Sequence, residues 1–207
     1  MSMEENEDEA SKVIAPERTK AVPRFRKGVD EEVKGTLRGT AYHRFFEILN
    51  YDCCKDYNSI EEYLKTSVAA GKISEEYAGL INLKRFEEFL QTDLGKRMGS
   101  AYKKGLLFRE QPFIMELGAD MIDKEYPSDE KILVQGIVDA FFFEDDKVYI
   151  VDYKTDRVEQ GKAGEKALVE RYHKQLELYA DTISRVTGKE TGGCYIYSTC
   201  LKKEILI

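Results

Sequence analysis

Residues 132–154 read ILVQGIVDAFFFEDDKVYIVDYK, and this stretch decides the fold. Two runs rich in β-branched and aromatic residues, Ile132 to Phe143 and Val148 to Tyr153, flank the polar tetrapeptide Glu144-Asp-Asp-Lys147. That composition predicts two strands joined by a tight turn. A two-residue turn at Asp145-Asp146 puts Glu144 opposite Lys147 and, further along the ladder, Asp139 opposite Asp152. Side chains alternate along a strand, so Lys154 points to the same face as Asp152. Ile137, Phe141, Phe143, Val148 and Ile150 are expected on that face, and Val138, Ala140, Phe142, Tyr149 and Val151 on the other. A hairpin apolar on both sides belongs at the centre of a sheet covered on both faces.

Two carboxylates facing each other in such a place repel one another and resist ionisation unless a cation lies between them. Oxygen donors at this spacing suit Mg²⁺, which keeps several waters and accepts phosphate oxygens as well. Lys154 adds a cation that could orient or deprotonate a water, or stabilise charge on phosphoryl oxygens. Metal, water and lysine together describe phosphodiester hydrolysis. The residues alone fit a second reading equally: an Asp-Lys ion pair at a sheet rim, with the other Asp capping a turn.

Outward from the hairpin, the apolar positions Leu37, Ala41, Phe45, Ile48 and Leu49 predict a helix from about Thr36 to Asn50, carrying His43 and Glu47 one turn apart. Helical patterning continues over Ile60 to Ala70 and Ser74 to about Leu94, with Gly71 as a stop between them, and over a short Leu94 to Tyr102 segment. Leu106 to Leu117 reads as a strand. A long amphipathic helix is expected from Lys162 to Val186, then strands at Cys194 to Thr199 and Glu204 to Ile207. This order predicts an α/β (α+β) fold: a mixed central sheet flanked by helices, with a helical N-terminal region. Residues 1–22 are charged and closed by Pro16 and Pro23, which suits a flexible leader, leaving 23–207 as one domain.

The formal charge is -7 over 207 residues, but Glu4, Glu5, Glu7, Asp8 and Glu9 supply five of those charges, so the rest is nearly neutral and compatible with a nucleic-acid partner. No apolar run spans a bilayer and no signal peptide is present, so a soluble, cytoplasmic, bacterial protein without membrane contact is expected. Cys53, Cys54, Cys194 and Cys200 have no familiar zinc spacing and read as free thiols.

Gln135-Gly-Ile-Val-Asp139 followed by Asp152-Tyr-Lys154-Thr-Asp156 resembles the core of the PD-(D/E)XK nucleases, in particular the RecB-like branch. Gly39-Thr-Ala-Tyr-His43-Arg-Phe-Phe-Glu47 resembles that branch's G-T-x-x-H-x-x-x-E helix. Arg109-Glu-Gln-Pro-Phe113 resembles its first core strand, and Gln175-Leu-Glu-Leu-Tyr179 its Q-x-x-x-Y helix. The motifs occur in the family's order over residues 39 to 179. Within that branch the stretch is similar to the C-terminal nuclease domain of the AddAB-type helicase-nucleases.

The resemblance implies a restriction-endonuclease-like sheet and an Mg²⁺-dependent deoxyribonuclease, with Mn²⁺ able to substitute, acting in double-strand break end resection and recombinational repair. It implies His43, Asp139, Asp152 and the Tyr153 backbone carbonyl as metal ligands and Lys154 as catalytic, with Gln175 and Tyr179 holding the scissile phosphate or the lysine. Glu47 and Glu110 are candidates for orienting His43 or binding metal through water, or are ordinary carboxylates. Implied partners are DNA, single-stranded at the site, the helicase portion of a longer chain and an AddB-type protein. No G-x-x-x-x-G-K-[ST] motif occurs, so this stretch is not itself a motor. Some RecB-like relatives carry an iron-sulfur cluster, but the four cysteines do not reproduce its spacing and none is expected. Lys162, Lys166, Arg171, His173 and Lys174 could follow a DNA backbone or form a solvated helix face. A catalytically silent DNA-binding or scaffolding domain and a stand-alone phage- or CRISPR-type exonuclease are the alternatives of the same fold.

Overall fold

Turn chemistry at residues 145 and 146 sets the register of the sheet. Asp145 and Asp146 both adopt left-handed backbone (φ 49° and 63°), the two-residue geometry whose twist matches that of paired strands. The strands it joins, β2 (Lys131–Glu144) and β3 (Lys147–Lys154), pair antiparallel from Glu144↔Lys147 to Ala140↔Val151, as the sequence predicts. The computed structural model describes residues 29–118, 127 and 129–207; the expected leader at 1–22 lies outside the described residues.

Around this hairpin, β1 (Leu107–Gly118) pairs antiparallel with β2, β4 (Glu190–Ser198) parallel with β3, and β5 (Lys203–Leu206) antiparallel with β4. The result is a mixed five-stranded sheet in the order β1-β2-β3-β4-β5. The parallel β3-β4 step needs a crossover, and α6 (Lys162–Thr187) supplies it. On the opposite face lie α1 (Val29–Ile48), α2 (Tyr57–Ala69), α3 (Glu75–Leu80), α4 (Leu83–Gln91) and α5 (Asp93–Lys103).

Each face has its own core. Ala140, Phe142, Val151, Tyr153 and Tyr197 pack against Phe45, Phe46, Phe86 and Phe89 of the helical layer. Val138, Phe141, Val148, Ile150 and Ile196 pack against Leu168, Leu176, Tyr179 and Ile183 of α6. Cys54 belongs to the first core and Cys194 to the second; all four cysteines are free thiols, with Cys53 exposed and Cys200 half-buried.

Three expectations need correction. Val138, expected beside Ala140, packs with Phe141 on the α6 side, while Ile137, expected beside Phe141, is half exposed. Strict alternation fails between Val138 and Ala140, opposite Glu110, whose backbone is left-handed (φ 48°). The strand pair switches faces there. The helical segment from Ser74 to Leu94 is two helices, because the Asn82 side chain accepts from the Lys84 N–H and starts α4 anew. Helix α1 begins at Val29, upstream of the apolar period that starts at Leu37.

Candidate active site

The ladder between β2 and β3 stops at Ala140↔Val151, one pair short of the two aspartates. Beyond it the Tyr153 N–H donates to Oδ2 of Asp139 at 2.8 Å, so a side chain replaces the backbone partner. This contact fixes the Asp139 carboxylate at the point where the strands separate, leaving its other oxygen directed to the helical layer. There Nδ1 of His43 lies 3.3 Å from Oδ1 of Asp139.

Three features of the sequence bring His43 to that position. The Arg109 guanidinium donates to the backbone carbonyls of Leu49 (2.6 Å) and Phe46 (3.3 Å), tying down the chain at the C-terminal end of α1. The Phe46 ring stacks on Tyr153 with centroids 3.9 Å apart. At the other end of the contact, a Cβ on Gly39 would lie 3.2 Å from Oγ1 of Thr155, so the glycine permits the helix to approach the end of β3. Strand β1, through Arg109, and strand β3, through Tyr153 and Thr155, therefore clamp one helix.

The residue after Arg109 completes the cluster. Left-handed backbone is strained for glutamate, and at Glu110 it accompanies a carboxylate placed with His43 and Asp139. One ligand atom from each of these three residues lies within 4.8 Å of the others. Burial, and then the neighbouring Asp139 charge, push the Glu110 carboxyl up to about 7, with His43 acting in the opposite sense. Burial works against the His43 imidazolium, yet the hydrogen bond and charge of Asp139, with Glu110 and Asp152 behind them, raise it above its ordinary value. One nitrogen and two carboxylates crowded together in this way are a donor set suited to a divalent cation such as Mg²⁺ or Mn²⁺.

Asp152 lies outside that triplet. It is 1% exposed and pairs through Oδ2 with Nζ of Lys154 at 2.7 Å. Burial and the Asp139 charge raise its carboxyl, opposed by Lys154. For Lys154, burial favours the neutral amine, but the Asp152 carboxylate outweighs it and holds the ammonium form above its usual range. Nζ also donates to Oε1 of Gln175 at 3.3 Å, and Nε2 of Gln175 donates to the Tyr179 hydroxyl at 2.6 Å. The expected Gln175 and Tyr179 thus sit one helical turn apart on α6 in line with the lysine.

Of the remaining candidates, Glu47 pairs with Arg44, not His43. Tyr153 is tied to the cluster through its N–H; a ligand role for its carbonyl rests on the family resemblance alone. On α6, Arg171 pairs with Asp156 and Lys166 with Glu170. Glu110 is the residue whose place the sequence leaves open, and its one signal there is adjacency to Arg109 in the first-strand motif. A cavity of about 310 Å³ opens beside the triplet, lined by Thr40, His43, Arg44, Lys72, Tyr77 and Glu110. Among the described residues no helix is long and apolar enough to cross a membrane.

Residues 18–204 match the PD-(D/E)XK nuclease superfamily. The chain is 34% identical over 206 residues to an ATP-dependent helicase/nuclease subunit from Clostridium perfringens (strain SM101 / Type A), covering 97% of this chain and 16% of that protein. It is 38% identical over 163 residues to the protein of the same name from Thermoanaerobacter sp. (strain X514), covering 77% of this chain and 13% of that one. To the corresponding Listeria monocytogenes serotype 4a (strain HCC23) protein it is 32% identical over 170 residues, covering 80% and 14%. The chain spans about one-sixth of the length of the first of these relatives.

Proposed function

Since the chain belongs to the PD-(D/E)XK nuclease superfamily, we propose that it hydrolyses DNA phosphodiester bonds with Mg²⁺ or Mn²⁺ as cofactor. The observation that carries this reading is the juxtaposition of two groups: the His43, Glu110 and Asp139 triplet, and the buried Asp152–Lys154 pair. His43, Glu110 and Asp139 would hold the ion, with Asp152 and the Tyr153 carbonyl as the further candidates the family resemblance names. Such an ion supplies Lewis-acid polarisation of the phosphate and acidifies a water.

The protein's own groups do the rest. Hydrolysis adds a water oxygen to phosphorus as the bond to the leaving sugar oxygen breaks, and negative charge grows on the non-bridging oxygens. Lys154, kept cationic by Asp152, supplies a preorganised donor for that charge. Gln175 orients Nζ, and Tyr179 orients Gln175. The cavity beside the triplet gives the adjoining nucleotides room, with the Lys72 and Arg44 cations and the Tyr77 ring available to phosphate and base.

The names of the relatives support a setting as well. By analogy with those helicase/nuclease proteins, the domain acts as the nuclease portion of an AddA-type chain, paired with an AddB-type protein, degrading a single strand during end resection and recombinational repair. In the test, purified protein is given a labelled single-stranded oligonucleotide and Mg²⁺ or Mn²⁺. Cleavage that stops with EDTA and falls at least about 100-fold in Lys154→Ala is the expected result. Undiminished cleavage by both Lys154→Ala and Asp139→Ala would overturn the assignment.

A further inference from the structure

The Lys154 ammonium carries three N–H donors; it is ion-paired with Oδ2 of Asp152 at 2.7 Å and donates to Oε1 of Gln175 at 3.3 Å. Among the described residues the ammonium also lies against a ring: Nζ is 4.0 Å from the centroid of Tyr172, on the same helix as Gln175 and one turn before Leu176. That distance is well inside the range of attraction between a cation and an aromatic face. The ring is itself held. Its hydroxyl donates to Oδ1 of Asp156 at 2.9 Å, and Nη1 of Arg171 reaches the same oxygen at 2.7 Å. Asp156 lies two residues beyond Lys154, so the anchor and the lysine leave the sheet on the same short segment.

We propose that Tyr172, locked by Asp156 and Arg171, is a positioning residue that holds the Lys154 ammonium over the active site with one donor uncommitted. The proposal rests on the reading of Lys154 as the catalytic cation. Its logic is one of exchange. A phosphate oxygen that displaced Asp152 or Gln175 from Nζ would strand a partly or fully buried polar atom. The face of a tyrosine gives up its N–H without leaving a lone pair unpaired. The ring thus fixes the direction of the ammonium before substrate arrives and yields the third N–H to the phosphate. It also explains why Arg171, in a helix with several basic residues, is turned to Asp156: its role is local, not one of tracking a DNA backbone.

The test compares Tyr172→Leu, Tyr172→Phe and Asp156→Ala with the unaltered protein in single-turnover cleavage of a short single-stranded oligonucleotide, with Mn²⁺ affinity and thermal stability measured in parallel. Tyr172→Leu is expected to lower kcat about tenfold, with KM and Mn²⁺ affinity within twofold. Tyr172→Phe, which keeps the ring face, recovers most of that rate, and Asp156→Ala falls between them. In a Lys154→Ala background the Tyr172→Leu change has no further effect, because the group it positions is gone. Should Tyr172→Leu fail to fold, the Asp156→Ala rate alone and in the Lys154→Ala background decides. An unchanged kcat in the folded variants, or losses that multiply with Lys154→Ala, would overturn the proposal. A Lys154→Ala protein that cleaves normally would instead overturn the reading of Lys154 as the catalytic cation beneath it.

Discussion

Glu110 concentrates the chemistry of the site in one residue: a strained backbone, a carboxyl pushed up to about 7, and a position within 4.8 Å of His43 and Asp139. A bound cation would favour its ionised form against burial and the Asp139 charge, so Glu110→Gln is expected to weaken Mn²⁺ binding by at least about tenfold in calorimetry. Glu110→Gly separates geometry from chemistry. Relief of left-handed strain contributes about 1–2 kcal/mol, and the added freedom of the unfolded chain costs about 0.4–1 kcal/mol. Stability in urea should therefore hold or rise by up to about 1.6 kcal/mol while metal affinity falls. A protein destabilised by more than about 1 kcal/mol would show that the carboxylate is structural. The sequence contains no local sign of this residue's conformation: Arg-Glu-Gln is an ordinary strand tripeptide, and the left-handed kink lies beside the tertiary contact of Arg109 with the end of α1. The register that brings Asp139 near Asp152 and Lys154 was legible because a two-residue turn leaves one pairing, whereas their role as a site came from the family resemblance.

At the scale of elements, the site exists because α1 sits closely on the splayed ends of β2 and β3. Gly39 permits that approach, and a β-branched side chain there must push against Thr155. Gly39→Val is expected to keep the helical content by circular dichroism but to lower both Mn²⁺ affinity and cleavage about tenfold or more, by withdrawing His43 from Asp139. Gly39→Ala, which asks Thr155 to give by only a few tenths of an ångström, should lose much less. Equal loss in both variants would contradict a steric account. The order and type of the elements could be read from apolar period and β-branched content. Period could not reveal the break at Asn82, where a side-chain cap overrides a stripe continuous in number, nor the first turns of α1, which precede Leu37. The switch of faces between Val138 and Ala140 was invisible for a similar reason: alternation assumes regular strands, and Glu110 interrupts one.

For the whole molecule, the two sides of the sheet come together where the ladder ends, with His43 from the helical layer, Lys154 from β3 and Gln175 and Tyr179 from α6 gathered about Asp139 and Asp152. A cation bound there links the layers and stabilises the native state by mass action. At a free Mn²⁺ concentration of 100 times its Kd the gain is about 2.7 kcal/mol, or roughly 5–10 °C in Tm for a domain of this size. EDTA should reverse it, and Asp139→Ala should abolish it. The chain spans only 16% of the Clostridium perfringens relative, and the three candidate ligands all lie in this stretch. The most direct measurement is an anomalous difference map from crystals soaked in Mn²⁺. The account predicts a peak coordinated by His43, Glu110 and Asp139. A map with its peak away from these three residues, or with none in crystals whose triplet is intact, would contradict it.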